Sequence, residues 1–233
     1  MKLHELIDIK ELEELIENKY VSDRKHPSLP LRILNYTPKA TEIKEWSNTL
    51  SYCRGLVYEV TTGDVLAIPF RKFWNKGDSV HIKSLPTGIP RIFEKADGSY
   101  LNLFFYKDLP VVSTRGSFES DQAKWAQKWV NDHILLDKTN IATDRYNYIF
   151  EVIIPEDKKV VNYNWSGLIF LGFIRLFDGA EFPPELHLQW LQGHRVVKEY
   201  TYDDLEKLQA EDIPNEEGRV AVWYNDDAPA FRV

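Results

Sequence analysis

Residues 91–113 read RIFEKADGSYLNLFFYKDLPVVS. Three short runs, Arg91–Lys95, Tyr100–Tyr106 and Val111–Ser113, are rich in Val, Ile, Phe and Tyr. Turn-forming residues separate them, Asp97-Gly98 being the strongest turn signal, and no helical stretch intervenes. The same texture continues outward. Leu31–Tyr36, Gly55–Val60 and Val65–Pro69 precede it, with Thr61-Thr62-Gly63-Asp64 as a hairpin loop. Tyr146–Pro155, Leu168–Phe177, Gly218–Tyr224 and Ala230–Val233 follow it. Helical spacing is found over residues 3–18 and over Ser120–His133, where Ala123, Ala126, Trp129, Val130 and His133 share a face. Pro183-Pro184 opens a short helix through Leu191, and Thr201 with Asp204 caps another to Leu208. Strands and helices mix without strand–helix–strand alternation. This predicts an α+β fold of mixed, mainly antiparallel sheets flanked by helices. With no repeat or linker, one domain over residues 1–233 is the simplest organisation.

Composition narrows the function classes. The chain has 233 residues, 43% hydrophobic and 28% charged, as expected of a globular protein with a core of its own. Its net charge of −7 argues against gripping nucleic acid by bulk basicity and leaves room for a local basic groove. The single cysteine, Cys53, fits a reducing compartment, so a cytoplasmic location is expected. The N-terminus lacks a signal-peptide apolar block, and the apolar run Leu168–Ile174, ended by Arg175, is too short to span a membrane. Phosphate-binding glycine motifs of the G-x-x-x-x-G-K-[ST] and G-x-G-x-x-G types are absent, as is a G-x-S-x-G elbow. The six histidines have no metal-ligand spacing.

Lys95 stands out, followed by a tight Asp97-Gly98 turn between two strand-like runs. A free lysine amine has a pKa near ~10.4, so a nucleophilic lysine must be desolvated or set beside other cations. Alone, the segment is better explained by a hairpin with a solvent-facing lysine. Glu151 lies within the apolar run Ile149–Ile154, where a lone carboxylate is costly unless paired or holding a metal. A core arginine or backbone donors would satisfy it equally well. Arg54-Gly55, Ser113-Thr114-Arg115-Gly116-Ser117 and Glu217-Gly218-Arg219-Val220 each read, alone, as ordinary turn or strand-end chemistry.

Their order changes the reading. Arg54-Gly55, Phe70-Arg71-Lys72-Phe73-Trp74-Asn75, Lys95-Ala96-Asp97-Gly98-Ser99, Ser113–Ser117, Phe150-Glu151-Val152 and Glu217–Val220 occur in sequence. Together they resemble the adenylyltransferase domain of the phage-type RNA ligase 1 family, ATP-dependent ligases of the covalent nucleotidyltransferase superfamily that repair broken tRNA. The resemblance runs from about Tyr36 to Val233. It implies an ATP site between the sheets, with Lys95 attacking the α-phosphate to give lysyl-AMP and pyrophosphate. AMP would pass to an RNA 5′-phosphate and be displaced by a 3′-OH. Arg54, Lys72 and Arg115 would face the phosphates, although the family more often has Lys where Arg115 stands. Asp97, Glu151 and Glu217 would hold Mg²⁺, or Mn²⁺ in its place, through water, with Glu151 and Glu217 also at the nucleotide. Trp74 and Tyr36 would stack on adenine or line its pocket, core packing being nearly as good an account of Trp74.

The resemblance also implies a partner RNA with 5′-phosphate and 3′-OH ends, tRNA among the options. It implies no membrane, a monomer and an intracellular setting such as a phage-infected bacterium. The family continues after a strand like Phe231-Arg232-Val233 with a Lys-x-Lys motif and then an RNA-specificity domain. Both are missing here, so a truncated form is expected over a naturally minimal one. Within the same chemistry a DNA ligase or a capping guanylyltransferase is the alternative. From another class, the alternative is a non-catalytic RNA-binding module on the same fold.

Overall fold

The computed structural model describes residues 1–78, 80–134, 145–157, 160–184, 190–201, 215–225 and 228–233. Helices α1 (Leu3–Leu6) and α2 (Ile9–Glu17) divide what the spacing predicts as one helix over 3–18. The division falls at Asp8, whose Oδ1 accepts from the Glu11 amide at 3.0 Å. An aspartate that caps the following turn competes with continuation of the preceding one. The helix expected to 208 and most of the one expected from Pro183 fall outside the described residues.

Strands β1 (Val21–Lys25), β2 (Leu31–Tyr36), β3 (Arg54–Glu59) and β4 (Val65–Ala67) form an antiparallel sheet in chain order. Loop 61–64 joins β3 to β4, as the turn chemistry predicts. β1 was not foreseen: Val-Ser-Asp-Arg-Lys has one apolar residue, as befits a half-solvated edge strand. Helix α3 (Asn48–Tyr52) is capped by Ser47 and precedes β3.

The central sheet runs β10 (Glu181–Phe182), β9 (Gly167–Arg175), β8 (Tyr146–Ile153), β6 (Ser99–Tyr106) and β7 (Leu109–Thr114). Its one described parallel pair joins β11 (Arg195–Val196) to β9. Helix α4 (Asp121–His133), capped by Ser120, covers one face with Ala123, Ala126 and Val130 buried. A third sheet runs β12 (Glu199–Tyr200), β5 (Arg91–Glu94), β13 (Arg219–Asn225) and β14 (Ala228–Arg232).

Leu31, Ile33, Val57 and Ala67 of the first sheet pack on Phe104 and Val111 of the second. Phe93, Val222 and Ala230 of the third pack on Ile153 and Ile169 of the second. Two fully buried asparagines clasp the first two sheets. Asn147 Oδ1 accepts from the Ile68 amide, and its Nδ2 donates to the Ile68 carbonyl, both at 3.0 Å. Asn102 Nδ2 donates to the Gly55 carbonyl at 2.9 Å. Burying an amide requires such complete pairing. Among the described residues no helix is long and apolar enough to cross a membrane.

Candidate active site

β5 and β6 do not form the hairpin that their sequence, taken alone, predicts. β5 lies between β12 and β13, and β6 lies between β7 and β8 in another sheet. Lys95–Gly98 is therefore a crossover between two sheets, and both grip it. The Lys95 amide donates to the Gly218 carbonyl at 3.1 Å. The Asp97 amide donates to the Tyr163 hydroxyl at 3.2 Å, and the Gly98 amide to Glu151 Oε1 at 3.2 Å. Glycine at 98 has a steric cause: a Cβ there would lie 2.3 Å from the Val152 carbonyl oxygen.

The crossover borders a cleft of about 730 Å³ lined by residues of all three sheets. Lys95, Asp97, Arg54, Arg115, Glu151 and Glu217 all line it, from positions dispersed over the sequence. Lys95 Nζ is ion-paired with Glu217, both side chains being partly exposed. Arg54 opens β3 and sits over the Tyr100 ring at 5.2 Å. The next residue, Gly55, has φ +111° and faces the Arg115 backbone, 3.3 Å from where its Cβ would be. The Arg-Gly pair thus lets the 115 turn approach β3 and brings two guanidiniums to one end of the cleft. Arg24, on the unforeseen β1, also lines the cleft. Phe93, Leu171, Val197, Val222 and Tyr224 supply an apolar wall. Burial pushes the Tyr224 phenol up to about 12. Val220, Val222 and Tyr224 alternate along β13 and face the cleft together, a period-two signal that could have marked them in the sequence. Arg232 also reaches the cleft, 3.7 Å over the Phe70 ring and ion-paired with buried Glu181. No motif pointed to it.

The remaining predicted residues lie off the cleft wall. Tyr36 accepts from Arg115 Nη1 at 3.2 Å and carries that guanidinium 5.0 Å over its ring. Lys72 and Trp74 line an adjoining cleft. Lys72 Nζ donates to the Phe73 carbonyl at 2.9 Å and sits 4.1 Å from the Trp74 ring centroid. Burial, then the charges of Arg54, Arg115 and Lys95, hold the Lys72 amine below the usual lysine range. Trp74 stacks on His81 at 3.5 Å and meets Trp46 edge-on, so its ring is packed against protein.

The three carboxylates of the expected metal set all line the cleft, and each has a protein partner. Asp97 Oδ2 accepts from the Val160 and Val161 amides at 2.5 and 2.7 Å, Glu217 holds Lys95, and Glu151 accepts from Gly98. Among the described residues no three His, Cys, Asp or Glu side chains converge as metal ligands. The sequence had no means of showing that Asp97 is committed to a loop more than 60 residues away.

No family model matches the chain. It is 26% identical over 183 residues to a protein of Thermovibrio ammonificans named "Putative RNA ligase", covering 76% of this chain. The chain spans 48% of that relative's length. A structure named "Putative ATP-dependent DNA ligase", from Aquifex aeolicus, matches with TM-score 0.55 and 15% identity over 96% of this chain and 61% of its own. A Naegleria gruberi RNA ligase solved with ATP and Mn matches at TM-score 0.46 and 14% identity, over 62% and 49%. The chain has the nucleotidyltransferase fold of ATP-dependent ligases.

Proposed function

We propose that this chain is the nucleotidyltransferase part of an ATP-dependent RNA ligase that works through a lysyl-AMP intermediate. One observation carries the reading: Lys95 sits on a crossover gripped by two sheets, in a cleft with guanidiniums at one end and an apolar wall beside it. Such a cleft suits a nucleotide, its base on the apolar wall and its phosphates on Arg54 and Arg115. The neutral Lys95 amine attacks the α-phosphorus. An N–P bond forms, the bond to the pyrophosphate oxygen breaks, and pyrophosphate leaves with its electrons. Glu217, in contact with the amine, supports a role as acceptor of the proton it must shed. Guanidiniums fixed before reaction stabilise the charge that grows on the phosphates. AMP then passes to an RNA 5′-phosphate, and a 3′-OH displaces it to close the phosphodiester, a repair reaction for which tRNA is a suitable substrate. The likeness to a named RNA ligase over most of the chain supports RNA over DNA.

The test is incubation with ATP labelled at the α-phosphate, followed by denaturing electrophoresis and peptide mass spectrometry. Label should appear on the Lys95 peptide from ATP and not from GTP, and vanish in Lys95→Ala. Label on another lysine, or undiminished label in Lys95→Ala, would sink the reading.

A further inference from the structure

A second cleft, of about 660 Å³, opens beside the first. Its cations are Lys44, Arg71, Lys72, Lys83 and Arg232, the last ion-paired with buried Glu181, and Glu45 is the one acid in its wall. This concentration runs against a chain whose net charge is −7. Trp46, Phe73 and Phe231 line it with them, and Trp74, packed against His81 and Lys72, completes the wall. Cations that neutralise a phosphate backbone, set among rings that bases can stack on, are what a single strand of nucleic acid needs.

The His81 ring is held at the cleft wall by Asp78, which meets its Nδ1 at 3.0 Å. The cleft is also continuous with the first, since Phe73 and Arg232 line both. Lys72 feels the charges of Arg54, Arg115 and Lys95 across that boundary.

We infer that the second cleft holds the single-stranded end of the RNA, its backbone phosphates on Lys44, Arg71 and Lys83 and its terminal phosphate directed past Arg232 toward Lys95. This rests on the ligase reading and adds to it a place for the second substrate.

Lys44 and Lys83 are exposed and stand apart from the nucleotide cleft, so Lys44→Glu/Lys83→Glu leaves packing intact. The measurement is anisotropy of a 5′-phosphorylated oligoribonucleotide carrying a 3′ fluorophore, over a salt series, with lysyl-AMP formation from ATP measured alongside without RNA. The double variant should bind RNA about tenfold or more weakly, with a salt slope shallower by about 1.4, which is two single-strand phosphate contacts. Its lysyl-AMP formation should stay within about twofold, since no RNA takes part in that step. Unchanged RNA affinity would overturn the assignment. So would a loss confined to lysyl-AMP formation, which would make this cleft a seat for ATP phosphates. Failure of the unaltered chain to form lysyl-AMP would sink the ligase reading, while the RNA titrations would still judge the cleft. Independently, a 4-thiouridine oligonucleotide should crosslink to peptides within residues 44–83, and crosslinks solely elsewhere would also overturn it.

Discussion

Asp97 accepts two backbone hydrogen bonds through one carboxylate oxygen, and this fixes what its replacement should do. Asp97→Ala strands the buried Val161 amide, while that of exposed Val160 can turn to water, and should cost about 1–3 kcal/mol in urea unfolding, the cost of a buried donor without a partner. Asp97→Asn keeps an acceptor oxygen and should recover most of that loss. Equal destabilisation by the two variants would show that charge, and not pairing, is what the 160–161 amides need. Cys53 is fully buried, which pushes its thiol up to about 12 from 9.0. It should resist alkylation at pH 8 in the folded protein and react on denaturation, as followed by intact mass. The linkage has a definite sign. The native state keeps this proton where the unfolded state loses it, so stability falls as pH rises above about 9. Cys53→Ala should make that fall shallower. The buried phenols of Tyr100, Tyr148 and Tyr224, raised by the same cause, contribute in the same direction.

The element that matters most is the crossover from β5 to β6. Gly98→Ala must push against the Val152 carbonyl or the Glu151 side chain. Overpacking of this kind costs typically about 1–3 kcal/mol, and here the displaced segment carries Lys95. The variant should lower the urea midpoint and reduce lysyl-AMP formation about tenfold or more, while oligonucleotide binding in the second cleft persists. A variant with the wild-type rate of lysyl-AMP formation would show that Lys95 does not depend on this grip. The crossover also marks where the sequence stops being legible. Its turn and flanking strands could be read from Asp97-Gly98 and the Val, Ile and Phe runs. Which sheets those strands join depends on pairings with β8 and β13, more than 40 residues further on, and local pattern carries no record of them. The α2 and α4 faces were legible because apolar spacing is local, whereas the break at Asp8 and the polar edge strand β1 were decided by a side-chain cap and by a neighbouring strand. Of the site, Lys95, Arg54, Arg115, Glu151 and Glu217 were visible as ordered motifs and do meet in one cleft. Arg24 and Arg232 come from segments without a motif, so only the folded chain brings them there.

Across the whole molecule, the nucleotide cleft is lined by residues of all three sheets, so a ligand there bridges them. Binding that favours the native state stabilises it by about 2.7 kcal/mol at a hundredfold excess over Kd. For a chain of this length, that is a rise in Tm of roughly 5–10 °C. Differential scanning fluorimetry with ATP, and with GTP as control, should show the rise for ATP. No shift at millimolar ATP would remove the nucleotide from this cleft. Lys95 belongs to neither the second nor the third sheet alone: its backbone is tied to β13, and three residues later the chain is tied to β8. A molecule with either sheet undone therefore has a lysine and no nucleophile. Covalent AMP would then mark only chains in which both sheets have assembled, which turns a band on a denaturing gel into a head-count of natively folded molecules in a mixed population.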